Sequence, residues 1–181
     1  MPTRVPSLLT ADDLPLAELH ALRLDGVVVS VDSCFAPIDE VPGAIQRANA
    51  LAEGLHDRLV AEQWTAAWVW GARVTAPLPH QFCVGLEARV THSTSPWMTL
   101  REVVIDPRDV SQVGSLGVTT PGRTVVDLAR FSPTWGPEEH DVVVALMELG
   151  QVRRAILERE LGRNKLPHKR RAYERLGLSP S

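Results

Sequence analysis

Cysteine is scarce in this chain. The two present, Cys34 and Cys83, lie in separate apolar stretches, and no disulfide framework is expected of them. Lysine is nearly missing as well: 17 of the 19 basic residues are arginine, a bias that points to a GC-rich genome rather than to a chemistry. No apolar run approaches the roughly 20 residues of a membrane helix. Residues 1–10, MPTRVPSLLT, lack the apolar core of a signal peptide, so a cytoplasmic location is the expectation. The usual signs of catalysis are also missing. His20, His56, His80, His92, His140 and His168 show no metal-ligand spacing. No glycine-rich loop followed by lysine cradles a nucleotide, and Ser, His and Asp are scattered without a nucleophile elbow. No catalytic residue, cofactor or metal is therefore expected, and neither an internal repeat nor a low-complexity segment is found.

What remains is the composition of a soluble globular protein, with 44% hydrophobic and 23% charged residues in 181. That length suits one ordinary domain, or a small module beside a main one. The net charge of −3 conceals a division. Residues 1–149 hold ten arginines against nineteen acidic residues, a net −9, and residues 150–181 hold nine basic residues against three glutamates, a net +6. The basic end is a candidate for contact with phosphate or with an acidic partner. The alternative is a solvated helix that docks on its own acidic body.

Read in order, Thr10 and Asp13 have the form of a helix cap, and Leu16, Leu19 and Leu22 follow at helical spacing up to Gly26. VVVSV at 27–31 reads as a strand and CFAPIDEVPG at 34–43 as an exit loop. A helix, a glycine and a hairpin-like run resemble the second half of a winged helix. Residues 44–71 read as two helices, broken at Gly54 and near Glu62. QFCVGLEARVTHS at 81–93 and TLREVVI at 99–105 read as strands, DPRD at 106–109 as a turn, and residues 110–119 as short strands. Helices then follow Thr120, Pro137 and Pro167. The expected fold is α+β: a partial winged-helix-like module (1–42), a domain with a small antiparallel sheet flanked by helices (43–150) and a basic helical tail (151–181).

Several motifs allow two readings. In TTPGR at 119–123, Thr120 suits an N-cap and Pro121 the first helical position. Gly122 would leave amides uncovered and Arg123 would stand beside them, a combination that can hold a phosphate. Arg123 can instead pair with Asp127, four residues on. Trp64, Trp68 and Trp70 fit either a core cluster or a partner surface, and Trp97 is expected to be exposed. Asp106 and Asp109 read as turn formers. Lys169, Arg170 and Arg171 beside Tyr173 can grip nucleic acid, while the interleaved Glu158, Glu160 and Glu174 fit a helix with internal ion pairs.

TAAWVWG at 65–71 and VTTPGRTVVDLA at 118–129, with strands between them, resemble the common core of the AbiEi-type antitoxins of type IV toxin–antitoxin systems. That family includes many actinobacterial members described as transcriptional regulators. Its core reads Thr-Ala-Ala-aromatic-x-aromatic-Gly, then strands, then Val-Thr-x-Pro-x-Arg-Thr-x-x-Asp-Leu-Ala; the second motif is the more specific. The resemblance implies a winged-helix module that binds operator DNA and represses its own operon, and a domain that neutralises a cognate nucleotidyltransferase-like toxin. Neither task is enzymatic or needs a membrane. On this reading Thr119, Thr120, Arg123, Asp127 and Trp97 are the candidate partner-binding residues. His20, Arg23, Lys165, Lys169, Arg170 and Arg171 are the candidate nucleic-acid contacts. Family members often write the wing with several arginines, whereas this chain has VVVSVDSCFAP at 27–37.

Overall fold

The structure, a computed structural model, describes residues 7–87, 95–163 and 166–179. Pro15 decides how the N-terminal part begins. A proline disfavours helical backbone at the residue before it, so the Thr10–Asp13 cap closes a turn rather than a helix. The Thr10 amide donates to Asp13 Oδ2 at 2.9 Å, and the first helix, α1, runs Leu16–Leu24. Strands β1 (Val28–Val31) and β2 (Cys34–Pro37) form an antiparallel hairpin, with Val28 opposite Pro37 and Val31 opposite Cys34. Four residues expected in an exit loop are thus a strand, because Cys34, Phe35 and Ala36 have apolar surface to bury. Phe35 joins Leu9, Leu19 and Val28 in a small core under α1.

The hairpin's turn folds back onto the rest of the chain. Asp32, at φ 54°, places Oδ1 2.9 Å from Nε2 of the buried His80. Ser33 Oγ donates to the Ala50 carbonyl at 3.3 Å, and Cys34 Sγ donates to Glu53 at 3.4 Å.

Helices α2 (Ala44–Ala52) and α3 (Gln63–Trp70) flank β3 (Val60–Ala61). Two residues are too few to show alternation in a sequence, yet β3 is the centre of a five-stranded sheet ordered β5-β4-β3-β7-β6. The other strands are β4 (His80–Gly85), β5 (Met98–Val103), β6 (Val110–Val113) and β7 (Leu116–Thr119). β3 is antiparallel to β4 and parallel to β7, while β4 and β5 pair parallel and β6 and β7 antiparallel. The fold is α+β with a mixed sheet. Of the strand expected at 81–93, residues 88–93 lie outside the described residues. Among the described residues no helix is long and apolar enough to cross a membrane.

The chain ends in α4 (Pro121–Phe131), α5 (Pro137–Leu149), α6 (Arg154–Gly162) and α7 (Lys169–Leu176). α4 is the hub of this layer, packing against α3, α5, α6 and α7. Its Val125, Val126, Leu128 and Ala129 meet Leu146, Leu157, Leu161 and Tyr173 in one core. Each such leucine or valine contributes about 1.5–3 kcal/mol through burial. A second core joins α2 and the hairpin to the sheet through Ala36, Leu51, Phe82, Val84 and Val118. α3 serves both: Trp68 lies in the sheet core, Ala67 in the helical core, and Trp70 borders each. The tryptophan cluster is thus packing, with Arg73 over the Trp64 ring and Arg47 over that of Trp68. Cys34 and Cys83 are both free and buried.

Gly150, between α5 and α6, lies against the first residue of α4. A Cβ there would stand 2.4 Å from Cβ and 2.7 Å from Cγ of Pro121. Gly150→Ala is therefore expected to cost roughly 1–3 kcal/mol, as overpacking does, and to lower Tm by several degrees. Gly162→Ala, where nothing lies within 4 Å, should lose nothing. Scanning calorimetry of the two variants checks the contrast.

Candidate functional site

The turn between β7 and α4 is built as a helix start. Thr120 Oγ1 accepts the Arg123 amide at 3.4 Å, and Pro121 fills the first helical position, where no N–H is needed. The Thr124 hydroxyl donates to the Thr120 carbonyl at 2.9 Å and lies 2.8 Å from Oγ1 of the fully buried Thr119. The Thr119 carbonyl accepts Trp70 Nε1–H at 2.8 Å. Gly122 is packed beneath α6, since a Cβ would come 3.2 Å from Ile156 Cγ2. Hydroxyls and glycine alike are used to join strand to helix.

Arg123, Asp127 and Arg130 recur at i, i+4 and i+7, which puts them on one face of α4. Asp127 is fully buried and serves both arginines: Oδ2 accepts Arg123 Nε–H and Oδ1 accepts Arg130 Nη1–H, each at 2.8 Å. Asp109, closing a 3-10 turn at Pro107–Asp109, accepts Arg123 Nη1–H at 2.8 Å. Arg163, just past α6, reaches the same carboxylate through both Nη groups, with Nη2 2.7 Å from Oδ1. Arg163 Nη2 is also 2.5 Å from Glu160 Oε2. Beside this network Arg101 of β5 forks onto the buried Glu62, with Nε–Oε1 and Nη2–Oε2 both 2.6 Å. The Phe131 ring carries two guanidinium groups, Arg101 at 4.2 Å and Arg130 at 4.4 Å from its centroid.

Burial shapes the electrostatics of the cluster, and the partners correct it unevenly. It pulls the Arg123 guanidinium down, but Asp127 and Asp109 more than restore it, so its pKa is raised. It pushes Asp109 up, but Arg163 and Arg123 outweigh it and hold that carboxyl below its ordinary range. Arg130 ends lowered: burial dominates, Asp127 restores only part, and Arg123 and Arg101 add repulsion. Arg101, Arg123, Arg130 and Phe131 line a cavity of about 1020 Å³ between β5, α4 and the connection from α6 to α7. Its apolar wall includes Leu86, Val103, Ile105, Leu166 and Pro167.

The other residues singled out in the sequence lie elsewhere. Trp97 is 44% exposed and meets His80 edge-on at 6.3 Å, at the opposite end of β5 from the cavity. His20 and Arg23 belong to α1, where His20 packs edge-on against Phe35. On α7, Lys169 lies over the Tyr173 ring, Arg170 pairs with Glu174 at 3.0 Å, and Arg171 donates to the Pro133 carbonyl at 3.2 Å. Lys165 lies outside the described residues. Sequence reasoning missed Arg130, Phe131, the Arg101–Glu62 fork and the bridging role of Asp109. Asp106 does form the turn, accepting the Arg108 amide at 2.9 Å. Arg130 was within reach, seven residues from Arg123 on a helix already inferred.

Removing Asp127 would leave two buried guanidinium groups without their shared partner. Asp127→Ala is expected to cost about 3–5 kcal/mol, against ~1 kcal/mol for the cap substitution Thr120→Ala, both read from urea unfolding. The depressed pKa of Asp109 fixes a pH dependence. Its contribution is complete above the unfolded value of about 3.9 and is lost as pH falls through the lower folded value. Asp109→Asn should therefore be destabilised at pH 7 by more than at pH 3. An equal deficit at both values would contradict the assignment.

Comparison with known proteins adds the family. The AbiEi antitoxin C-terminal domain matches residues 60–178, more than half of the chain, and so takes in everything from β3 to α7. Among solved structures, the crystal structure of the RV2827C protein from Mycobacterium tuberculosis is similar in fold. It has a TM-score of 0.51 at 17% sequence identity, over 95% of this chain and 72% of that one. No curated protein matches. The charge network, the cavity and both family motifs fall inside the matched span, and the chain belongs to the AbiEi antitoxin family.

Proposed function

We propose that this chain neutralises a cognate nucleotidyltransferase-like toxin by covering it, without catalysing a reaction. The observation that carries the reading is the antitoxin domain at residues 60–178. The site's own chemistry supports it. The polar groups of the 118–129 motif are engaged in internal hydrogen bonds and ion pairs, an arrangement that holds a surface in shape. A toxin that binds nucleotide phosphates needs a basic face, and a body of net charge −9 over residues 1–149 complements one. Within this proposal Trp97 is a contact residue, and Thr119, Thr120, Arg123 and Asp127 act at one remove by fixing α4.

The rival reading is a DNA-binding autoregulator of its own operon that uses His20, Arg23 and the basic face of α7. The hairpin that would serve as a wing has its turn engaged with His80, Ala50 and Glu53. Its tip carries Asp32 in place of a cation, and phosphate neutralisation supplies most DNA affinity.

Co-expression with a nucleotidyltransferase-like toxin from the same genome tests the proposal: growth should be restored, and failure to restore it with any such toxin sinks the idea. Trp97→Ala should weaken the complex roughly tenfold or more, as an interface tryptophan does, measured by calorimetric titration. Gel shifts with the chain's own promoter at two salt concentrations separate the rival. Specific binding with a steep salt slope would move the function to DNA, and no binding at low salt would remove that role.

A further inference from the structure

Five arginines line the cavity beside α4: Arg101, Arg108, Arg123, Arg130 and Arg163. Glu62 accepts two hydrogen bonds from Arg101, Asp127 accepts from Arg123 and Arg130, and Asp109 accepts from Arg123 and Arg163. Those three carboxylates are buried and do not line the cavity. Among the described residues, the carboxylates on its wall are Glu102 and Asp106, and Asp106 is held by Arg108 at 2.9 Å. A molecule inside the cavity therefore meets guanidinium groups first, while most of the balancing charge stands behind them. Attraction falls with separation, so the nearer charges prevail.

Five guanidinium groups against two carboxylates suit a ligand with several negative charges close together. A guanidinium has five N–H donors, so one that gives two to an internal carboxylate has others to offer, and it meets phosphate oxygens in the same forked way. The internal pairs hold the side chains in place, which removes part of the ordering cost of binding. The repulsion that Arg123 and Arg101 add to the burial of Arg130 is offset by an anion beside them. Inorganic phosphate would leave most of the space unused, since about 1020 Å³ is at the upper end of ordinary ligand pockets. The remaining wall is apolar, with Val103, Ile105, Leu166 and Pro167, and Leu86 and Val104 add apolar surface that is 56% and 80% exposed. A charged chain joined to a flat apolar body matches both halves of the lining. The TTPGR turn plays no part, because its hydroxyls and Gly122 are used internally.

We propose that this cavity binds a nucleoside triphosphate, its phosphate chain against the five arginines and its base on the apolar surface of Leu86, Val103 and Val104. Binding alone is meant, and no bond is made or broken. The ligand fills the space between β5, α4 and the connection from α6 to α7 and ties them together, so it raises Tm by mass action. The site stands or falls independently of toxin neutralisation.

ATP, GTP, CTP and UTP are each titrated calorimetrically into the full chain in magnesium-free buffer, beside inorganic tripolyphosphate and the matching nucleosides. At least one nucleotide should saturate the protein with a Kd below ~1 mM. Tripolyphosphate, which lacks the apolar body, should bind at least about tenfold more weakly, and the nucleoside, which lacks the charge, should not saturate over the same range. Leu86→Glu places a carboxylate on the cavity wall at a half-exposed position and should weaken the nucleotide at least about tenfold, as the approach of a like charge does. Val74→Glu changes the net charge equally at a site 90% exposed and outside the cavity, and should leave binding unchanged. If circular dichroism shows Leu86→Glu unfolded, the comparison of ligands on the unmodified protein decides alone. Saturation by none of the four nucleotides would overturn the proposal, as would equal losses in the two variants. Tripolyphosphate bound as tightly as the nucleotide would reduce the site to an adventitious anion only, and a short oligo-dT bound more tightly than any of the four would assign it to a nucleic-acid strand; either result overturns the proposal.

Discussion

Asp127 is closed off from solvent, and two guanidinium groups supply its hydrogen bonds. An ion pair withdrawn from solvent is not by itself a source of stability; a well-packed apolar core of the same volume often does as well. Its effect is on arrangement. Arg123 is satisfied only when Asp109 has been delivered by the 3-10 turn after β5, and Asp109 is satisfied fully only when Arg163 arrives from the end of α6. Segments far apart in sequence must all be in register before any of these charges is content. Competing packings of the same helices would each strand a charge, and the cost of that exceeds the worth of a surface pair several times over.

The same logic joins the N-terminal hairpin to the antitoxin domain. Asp32 and His80 meet at 2.9 Å across 48 residues of sequence, and His80 is the first residue of β4, next to the central strand. The hairpin is thereby a brace on the sheet. Polar groups used so thoroughly for internal contacts hold the surface in shape, which leaves little conformational entropy to lose in any association.

The elements legible in the sequence were those with a local cause. α4 follows from Thr120, Pro121 and the apolar spacing after them, and α7 from the stop at Pro167. β4 to β7 follow from short apolar runs bounded by turn residues, with alternation a guide mainly in β5, whereas the two residues of β3 are defined by neighbours on either side rather than by any pattern of their own. The start of α1 was displaced because the preference imposed by Pro15 on Leu14 outweighs a cap at Thr10. The candidate site was legible only along α4, where helical spacing links Arg123 to Asp127. Asp109 looked like any turn aspartate, and nothing local distinguishes it from Asp106 three residues earlier. What separates them is burial against Arg123 and Arg163, a tertiary fact. The Arg101–Glu62 fork, 39 residues apart in sequence, is invisible for the same reason.

α3 has no face of its own to give to solvent. Its residues alternate between the sheet core and the helical core, and Trp70 is tied by its indole N–H to the strand that leads into α4. Neither layer can loosen without exposing tryptophan surface that the other layer also relies on. α3 therefore couples the two cores through shared packing, so that a lesion in either one disturbs contacts on which the other depends.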